Sequence, residues 1–273
     1  QMLKDEGINL PMITTLHGTD ITLVGNHPFY KTAVTFSINK SDFVTSVSQS
    51  LKDDTLKLFN IKNEIQVIPN FIELEKHEAE AITSCRRSVM ANENERIITH
   101  ISNFRKVKRI PDVIKIFYKI QQRIPAKLMM VGDGPEKEKA EYLCQELGIQ
   151  EKVIFFGNSN EIDKILSYTD LFLLPSETES FGLAALEAMA WGVPVISSNS
   201  GGLPEVNFDG ISGYLSDTGN TDEMGENALK ILKDSATLNK FKENALSVAK
   251  QFDIEKILPL YEELYHKSIN KFS

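Results

Sequence analysis

The sequence predicts an α/β protein built on parallel sheets, because short β-rich apolar runs alternate with amphipathic stretches of helical length. Near-continuous apolar runs are what strands covered on both faces require. In chain order the runs are Met12–Leu16, Phe43–Val47 and Ile65–Ile68, then Ile97–Ile101, Leu128–Val131, Val153–Phe156, Leu171–Leu174 and Val193–Ile196. Helix-length segments between them include Pro111–Arg123, Glu136–Leu147 and Leu183–Trp191.

The first three runs amount to about half of a doubly wound domain. After Pro69-Asn70 the stretch from Glu73 to Glu95 is charged and poor in strand formers, which marks an interdomain passage with a boundary near Asn70. At least five βα units then run to about Gln251, enough for one complete doubly wound domain. The last segment, Ile254 to Ser273, carries Ile257, Leu258, Tyr261, Leu264 and Tyr265 as an apolar helical face that needs a partner. The expected domains are therefore 1–70, 71–252 and a returning helix over 253–273.

Composition narrows the function. With 38 acidic against 30 basic residues and a net charge of −8, the chain is no general nucleic-acid binder, which would need a basic face. Cys85 and Cys144 form neither a CxxC pair nor a Cys/His cluster, so reduced structural thiols are expected rather than zinc or a disulfide. No apolar run reaches the roughly 18 residues of a membrane span, and Gln1–Glu6 do not resemble a signal peptide; a cytoplasmic protein is expected.

The chemistry concentrates after the Leu171–Leu174 run. Pro175 to Ala190 reads as a polar loop followed by a helix beginning near Phe181 or Gly182, with Ser180 as the expected N-cap. Free N–H groups and the positive dipole end at such a start can hold a diphosphate, and Gly182 allows close approach. Glu179 and Glu187 frame this start, and carboxylates can accept hydrogen bonds from sugar or ribose hydroxyls. Spacing alone is met equally by two solvated glutamates.

Other strand ends add groups. Ser102-Asn103-Phe104-Arg105-Lys106-Val107-Lys108-Arg109 places four basic residues where they can neutralise a leaving diphosphate, although a basic loop is also an ordinary solvated surface. Val131-Gly132-Asp133-Gly134-Pro135 is a glycine turn that serves equally as a structural stop. It is not the dinucleotide fingerprint, because Lys137 stands at the third glycine position, and no Walker A sequence occurs. Thr14 to Asp20 ends a strand with hydroxyls and His17 before Gly18; a lone histidine there is also a common structural residue.

The run Glu179-Ser180-Phe181-Gly182-Leu183 with Glu187, and the later Gly201-Gly202-Leu203-Pro204-Glu205, resemble the E-x7-E and GGxPE signatures of the family 4 retaining glycosyltransferases. Such a resemblance implies the GT-B fold of two facing Rossmann-like domains, the first incomplete in this chain. It implies that Glu187 meets the donor ribose, that Glu179 and His17 meet the donor sugar, and that Ser180, Phe181, Gly182 and Leu183 belong to the donor site. The basic loop resembles the family's diphosphate loop, with Lys108 on the family lysine. Asn103 stands where the family usually has arginine, which leaves Arg105 as its substitute. Gly132 and Gly134 match the turn that lets backbone pass close to the nucleotide, while Thr15 and Thr19 fall on the acceptor side.

Four segments, Leu16–Thr22, Ile38–Asp53, His100–Arg109 and Glu179–Ala190, resemble a branch that moves N-acetylglucosamine from its UDP donor to L-malate, the opening step of bacillithiol biosynthesis. The resemblance implies a UDP-sugar and a small hydroxy acid as partners, with no cofactor and no metal. No D-x-D motif occurs, and no residue stands out as a covalent nucleophile. A further N-terminal stretch precedes the His-Gly motif in that branch, so a chain that binds UDP but transfers sugar feebly is expected. Another family 4 acceptor, or a non-catalytic UDP-sugar-binding module, stays open, as does a homo-oligomer.

Overall fold

The computed structural model describes residues 6–7, 10–19, 21–22, 25, 27–74 and 85–271. The opening residues 1–5, Asp20 and the centre of the expected passage, 75–84, lie outside the described residues, as does the side chain of Cys85. The chain divides into two compact units: residues 1–71, 179–181 and 252–273 form one, and residues 72–178 and 182–251 the other.

In the first unit β1 (Ile13–Leu16), β2 (Phe43–Ser46) and β3 (Ile65–Val67) make a parallel sheet in that order. Helices α1 (Pro28–Lys40) and α2 (Gln49–Leu58) connect them. Pro28 starts α1, where a missing N–H costs nothing, and Ser48 caps α2 by accepting from Leu51 N–H at 3.1 Å. The C-terminal helix α11 (Ile254–Asn270) also belongs to this unit. Its Ile257 and Leu264 are buried with Ile68, while Tyr261, Ile13 and Phe43 pack around them. Leu258 and Tyr265 do not share that face and stay 42 % and 50 % exposed. Each follows an inward residue by one position, a rotation of about 100° that turns it outward.

The second unit holds α3 (Cys85–Met90), β4 (Arg96–Ile101), α4 (Ile110–Gln121), β5 (Ala126–Val131), α5 (Lys137–Glu146), β6 (Val153–Gly157), α6 (Ile162–Ser167) and β7 (Leu171–Leu174). There follow α7 (Leu183–Ala190), β8 (Val195–Ser198), α8 (Leu203–Val206), β9 (Gly213–Ser216), α9 (Thr221–Leu232) and α10 (Ser235–Ala249). The six strands run parallel in the order β6-β5-β4-β7-β8-β9. The chain builds outward from β4 on one side and then crosses to β7 on the other, so the order reverses between β4 and β7. A ligand crevice opens at the carboxyl ends of the strands at such a switch point.

Local chemistry explains the elements. In α4, Ile110, Val113, Ile114, Phe117 and Ile120 recur at helical spacing and are fully buried, with Pro111 in the first turn. Asn220 and Asp234 cap α9 and α10 by accepting from Glu223 and Thr237 N–H. The eighth strand begins at Val195, not Val193, because Val193 N–H still bonds Ala188 O of the preceding helix and Pro194 has no N–H to give.

Below the switch point, at the amino ends of β4 and β7, buried Asp170 accepts from Ile97 N–H and Arg87 at 2.9 Å each and pairs with Lys242 of α10 at 3.4 Å. Beside them Thr99 and Thr169 share a 2.7 Å hydrogen bond.

Candidate functional site

Three loops line the carboxyl edge of the larger sheet. Residues 102–109 follow β4, residues 132–136 follow β5, and residues 175–182 follow β7. Glu177 N–H donates to Val107 O at 2.8 Å and ties the first loop to the third. Ser102 N–H bonds Val131 O, and Glu136 N–H bonds Phe104 O at 3.0 Å, which ties the first to the second. Ser198 and Ser200 donate their hydroxyls to the carbonyls of Ser176 and Glu177, so the third loop is braced from β8 as well.

The glycine turn has a measurable reason to be glycine. Gly132 sits at φ +119°, and a Cβ there would lie 1.8 Å from Ser102 O; at Gly134 it would lie 2.2 Å from Asn103 O. The close approach these glycines permit is to the neighbouring loop backbone.

In the basic loop Asn103, Arg105 and Lys106 are exposed, while Lys108 is half-buried at the end of a single 3-10 turn, Lys106–Lys108. Arg109, at φ +52°, bonds Asp112 at 2.5 Å and so serves the start of α4. Of the four basic residues, Arg109 is thus committed to the fold.

The helix start differs from the sequence expectation. Helix α7 begins at Leu183 with Gly182 as its N-cap at φ +99°, and Ser180 makes no cap. The left-handed turn at Gly182 sets the entry, and a Cβ there would meet Leu203 Cδ2 at 2.7 Å, so the chain reverses two residues after Ser180. Ala185 N–H and Leu186 N–H both bond Gly182 O, which leaves the N–H groups of Leu183 and Ala184 as the orphan donors of the first turn. Leu183 is exposed. Glu187 is half-buried on α7, and burial first, then the charge of Asp163, holds its carboxyl above the ordinary range.

Glu179, Ser180 and Phe181 cluster with the first unit. There Ser48 donates its hydroxyl to Ser180 O at 2.5 Å, and the buried Phe181 ring meets Phe252 edge-on at 5.7 Å. Gly18, at φ +122°, leaves room for Ser180: a Cβ would lie 1.7 Å from its Oγ. Gly18 O accepts from Ile21 N–H, Thr22 N–H and the Thr22 hydroxyl, closing a tight turn that leaves His17 and Thr19 exposed. Thr15 is half-buried, and its hydroxyl accepts from Thr45 at 2.9 Å.

Sequence reasoning missed His100. It is fully buried at the end of β4, with Nδ1 2.8 Å from Leu173 O and Nε2 2.8 Å from the Ser102 hydroxyl. A carbonyl only accepts, so Nδ1 carries the proton and Nε2 accepts from Ser102. Burial lowers its pKa to about 4, opposed by the bond to Leu173 and aided by the nearby charge of Lys108. The available signal was a polar residue inside an apolar strand run.

Among the described residues no group of three or more His, Cys, Asp or Glu is placed to hold a metal ion, and no helix is long and apolar enough to cross a membrane. Cys144 is buried as a free thiol.

Similar architectures are known. Anabaena Alr3699/HepE, solved in complex with UDP and glucose, superposes on 94 % of this chain and 71 % of its own with a TM-score of 0.83 at 20 % identity. WaaG, a glycosyltransferase involved in lipopolysaccharide biosynthesis, matches with a TM-score of 0.78 at 18 % identity over 96 % of this chain and 79 % of its own. The fold, with its two parallel α/β sheets, is that of the GT-B glycosyltransferases.

The sequence model described as glycosyl transferases group 1 matches residues 82–248, and that of Glycosyltransferase Family 4 matches residues 3–76. The N-acetyl-alpha-D-glucosaminyl L-malate synthase of Bacillus anthracis is 42 % identical over 261 residues, which is 95 % of this chain and 68 % of that protein. An uncharacterized glycosyltransferase of Methanocaldococcus jannaschii is 30 % identical over 82 % of this chain and 61 % of its own length. This chain belongs to the family 4 glycosyltransferases.

Proposed function

We propose that the protein transfers N-acetylglucosamine from UDP-N-acetylglucosamine to the hydroxyl of L-malate with retention at the anomeric carbon, the step that opens bacillithiol biosynthesis. The observation that carries this reading is the 42 % identity to an N-acetyl-alpha-D-glucosaminyl L-malate synthase across 95 % of the chain. The loop positions at the switch point support the donor side of it.

In this reading the bond from the anomeric carbon to the diphosphate oxygen breaks, and a new bond forms to the malate hydroxyl. The hydroxyl proton passes to the leaving phosphate on the same face. Lys108, Arg105 and the start of α7 offset the charge on the diphosphate, with Asn103 beside them. Glu187 accepts from the ribose hydroxyls, and His17 and Glu179 orient the sugar, so catalysis comes mainly from positioning and charge stabilisation. Thr15 and Thr19 face the acceptor, and the reaction uses no cofactor or metal.

The test is to incubate the enzyme with UDP-N-acetylglucosamine and a panel of hydroxy acids and identify products by mass. An N-acetylglucosaminyl malate formed with release of UDP is expected. Transfer to a different hydroxyl acceptor alone would replace malate with that acceptor class, and UDP binding without any product would leave a non-catalytic sugar-nucleotide binder.

A further inference from the structure

We propose that His100 is a positioning residue for the diphosphate, acting through Ser102 to fix the conformation of the loop that carries Asn103, Arg105 and Lys108. The proposal rests on the donor-site reading above. His100 touches no solvent and stands at the switch point, bonded on one side to Leu173 O at the end of β7 and on the other to the Ser102 hydroxyl. The Ser102 oxygen in turn accepts from Phe104 N–H at 3.3 Å. One relay thus runs from β7 through the imidazole into the first turn of the basic loop.

That turn needs an external hold. Phe104 sits at φ +38°, a left-handed conformation that non-glycine residues adopt only under constraint. Its ring is fully buried and stacks 6.1 Å from His100, while Phe172 stacks 6.5 Å away on the imidazole. Packing fixes the Phe104 side chain inward, and the Ser102 bond fixes the backbone at the same turn. The residues on either side, Asn103 and Arg105, are thereby turned outward and exposed. The neutral imidazole can serve as donor and acceptor at once, which a phenyl ring cannot.

The experiment measures UDP and uridine affinity by calorimetry for the parent, Ser102→Ala, Ser102→Thr, His100→Phe and the double variant His100→Phe/Ser102→Ala. Loss of the relay should weaken UDP by about tenfold and uridine by less than about twofold, since one hydrogen bond's net worth is of that order and only UDP reaches the loop. Ser102→Thr, which keeps the hydroxyl, should retain most of the UDP preference. The double variant should lose little more than either single one, because both break the same relay. Equal losses for UDP and uridine, or additive losses in the double variant, would reduce His100 to a packing residue. A parent that binds UDP no better than uridine would instead overturn the donor-site reading and the positioning role with it, whereas a parent that discriminates and a Ser102→Ala that still does would overturn the positioning role alone.

Discussion

Gly132 passes so close beneath Ser102 that a single methyl group at Gly132 would overlap the Ser102 carbonyl oxygen, 1.8 Å from it. Gly132→Ala is therefore expected to destabilise the protein by about 2 kcal/mol or more, combining the cost of a left-handed φ with displacement of the Ser102 loop. Thermal unfolding reads the loss, and a midpoint within about a degree of the parent would show that the two loops separate freely.

Acid should weaken the fold through His100. Its folded pKa is lowered to about 4 from an ordinary value near 6.5, so the unfolded chain binds the proton more readily between those values. Stability from this group is complete above about pH 6.5 and declines towards pH 4, by up to about 3 kcal/mol. Urea unfolding of the parent and His100→Phe across that window should show the parent's slope flattened in the variant; parallel curves would contradict the buried neutral imidazole.

For Glu187 the sign is opposite. Its folded pKa is raised, so the folded chain holds the proton more tightly and stability falls as pH rises through the window between the unfolded and folded values. Above that window the half-buried carboxylate is a cost to the fold. Glu187→Gln is expected to melt higher than the parent at neutral pH while binding UDP about tenfold more weakly, since a neutral amide accepts less strongly from the ribose. A variant with unchanged UDP affinity would remove Glu187 from the ribose.

Lys108→Ala should separate the two halves of the nucleotide. Its loss is expected to cost UDP roughly 1.5–3 kcal/mol and uridine almost nothing, because only UDP carries the charge that Lys108 meets. Calorimetric titration with both ligands decides it, and equal losses would place Lys108 outside the phosphate site.

Sugar transfer is expected to continue in excess EDTA, because the proposal assigns charge neutralisation to Lys108, Arg105 and the α7 start. Product formation with and without chelator is the measurement; loss of activity with recovery on added magnesium would require a metal-assisted route.

Much of the larger sheet was legible in the sequence because its strands are covered on both faces. Leu171–Leu174 was bounded correctly since four consecutive buried apolar residues leave no ambiguity of face. The ninth strand, Gly213–Ser216, escaped notice because glycine and serine give it no apolar run. It is held by neighbours instead: it pairs in parallel with Val195–Ser198, and buried Asn207 donates to Tyr214 O as well as to Val195 O. Helix α1 also went unread, since its Phe29, Tyr30 and Phe36 are exposed and no single apolar face forms. At the candidate site, the motif positions could be read but not the cap at Gly182 or the relay through His100. Those depend on a backbone turn and on a partner strand far along the chain.

The seam between β4 and β7 bears on how donor domains can be recombined. Its main-chain ladder registers only Ile98 with Leu171 and Thr99 with Phe172, whereas β4 and β5 register from Arg96–Ala126 through to Ile101–Val131. Other bonds extend the β4–β7 pairing: Asp170 gives its N–H to Ile97 O and accepts Ile97 N–H on its carboxylate at one end, Thr99 bonds Thr169, and His100 donates to Leu173 O at the other end. A chimaera joined between α6 and β7 would divide each of these pairs between two parents. In this chain a junction in the loops beyond β7 keeps both strands of the seam, and these pairs, within one parent.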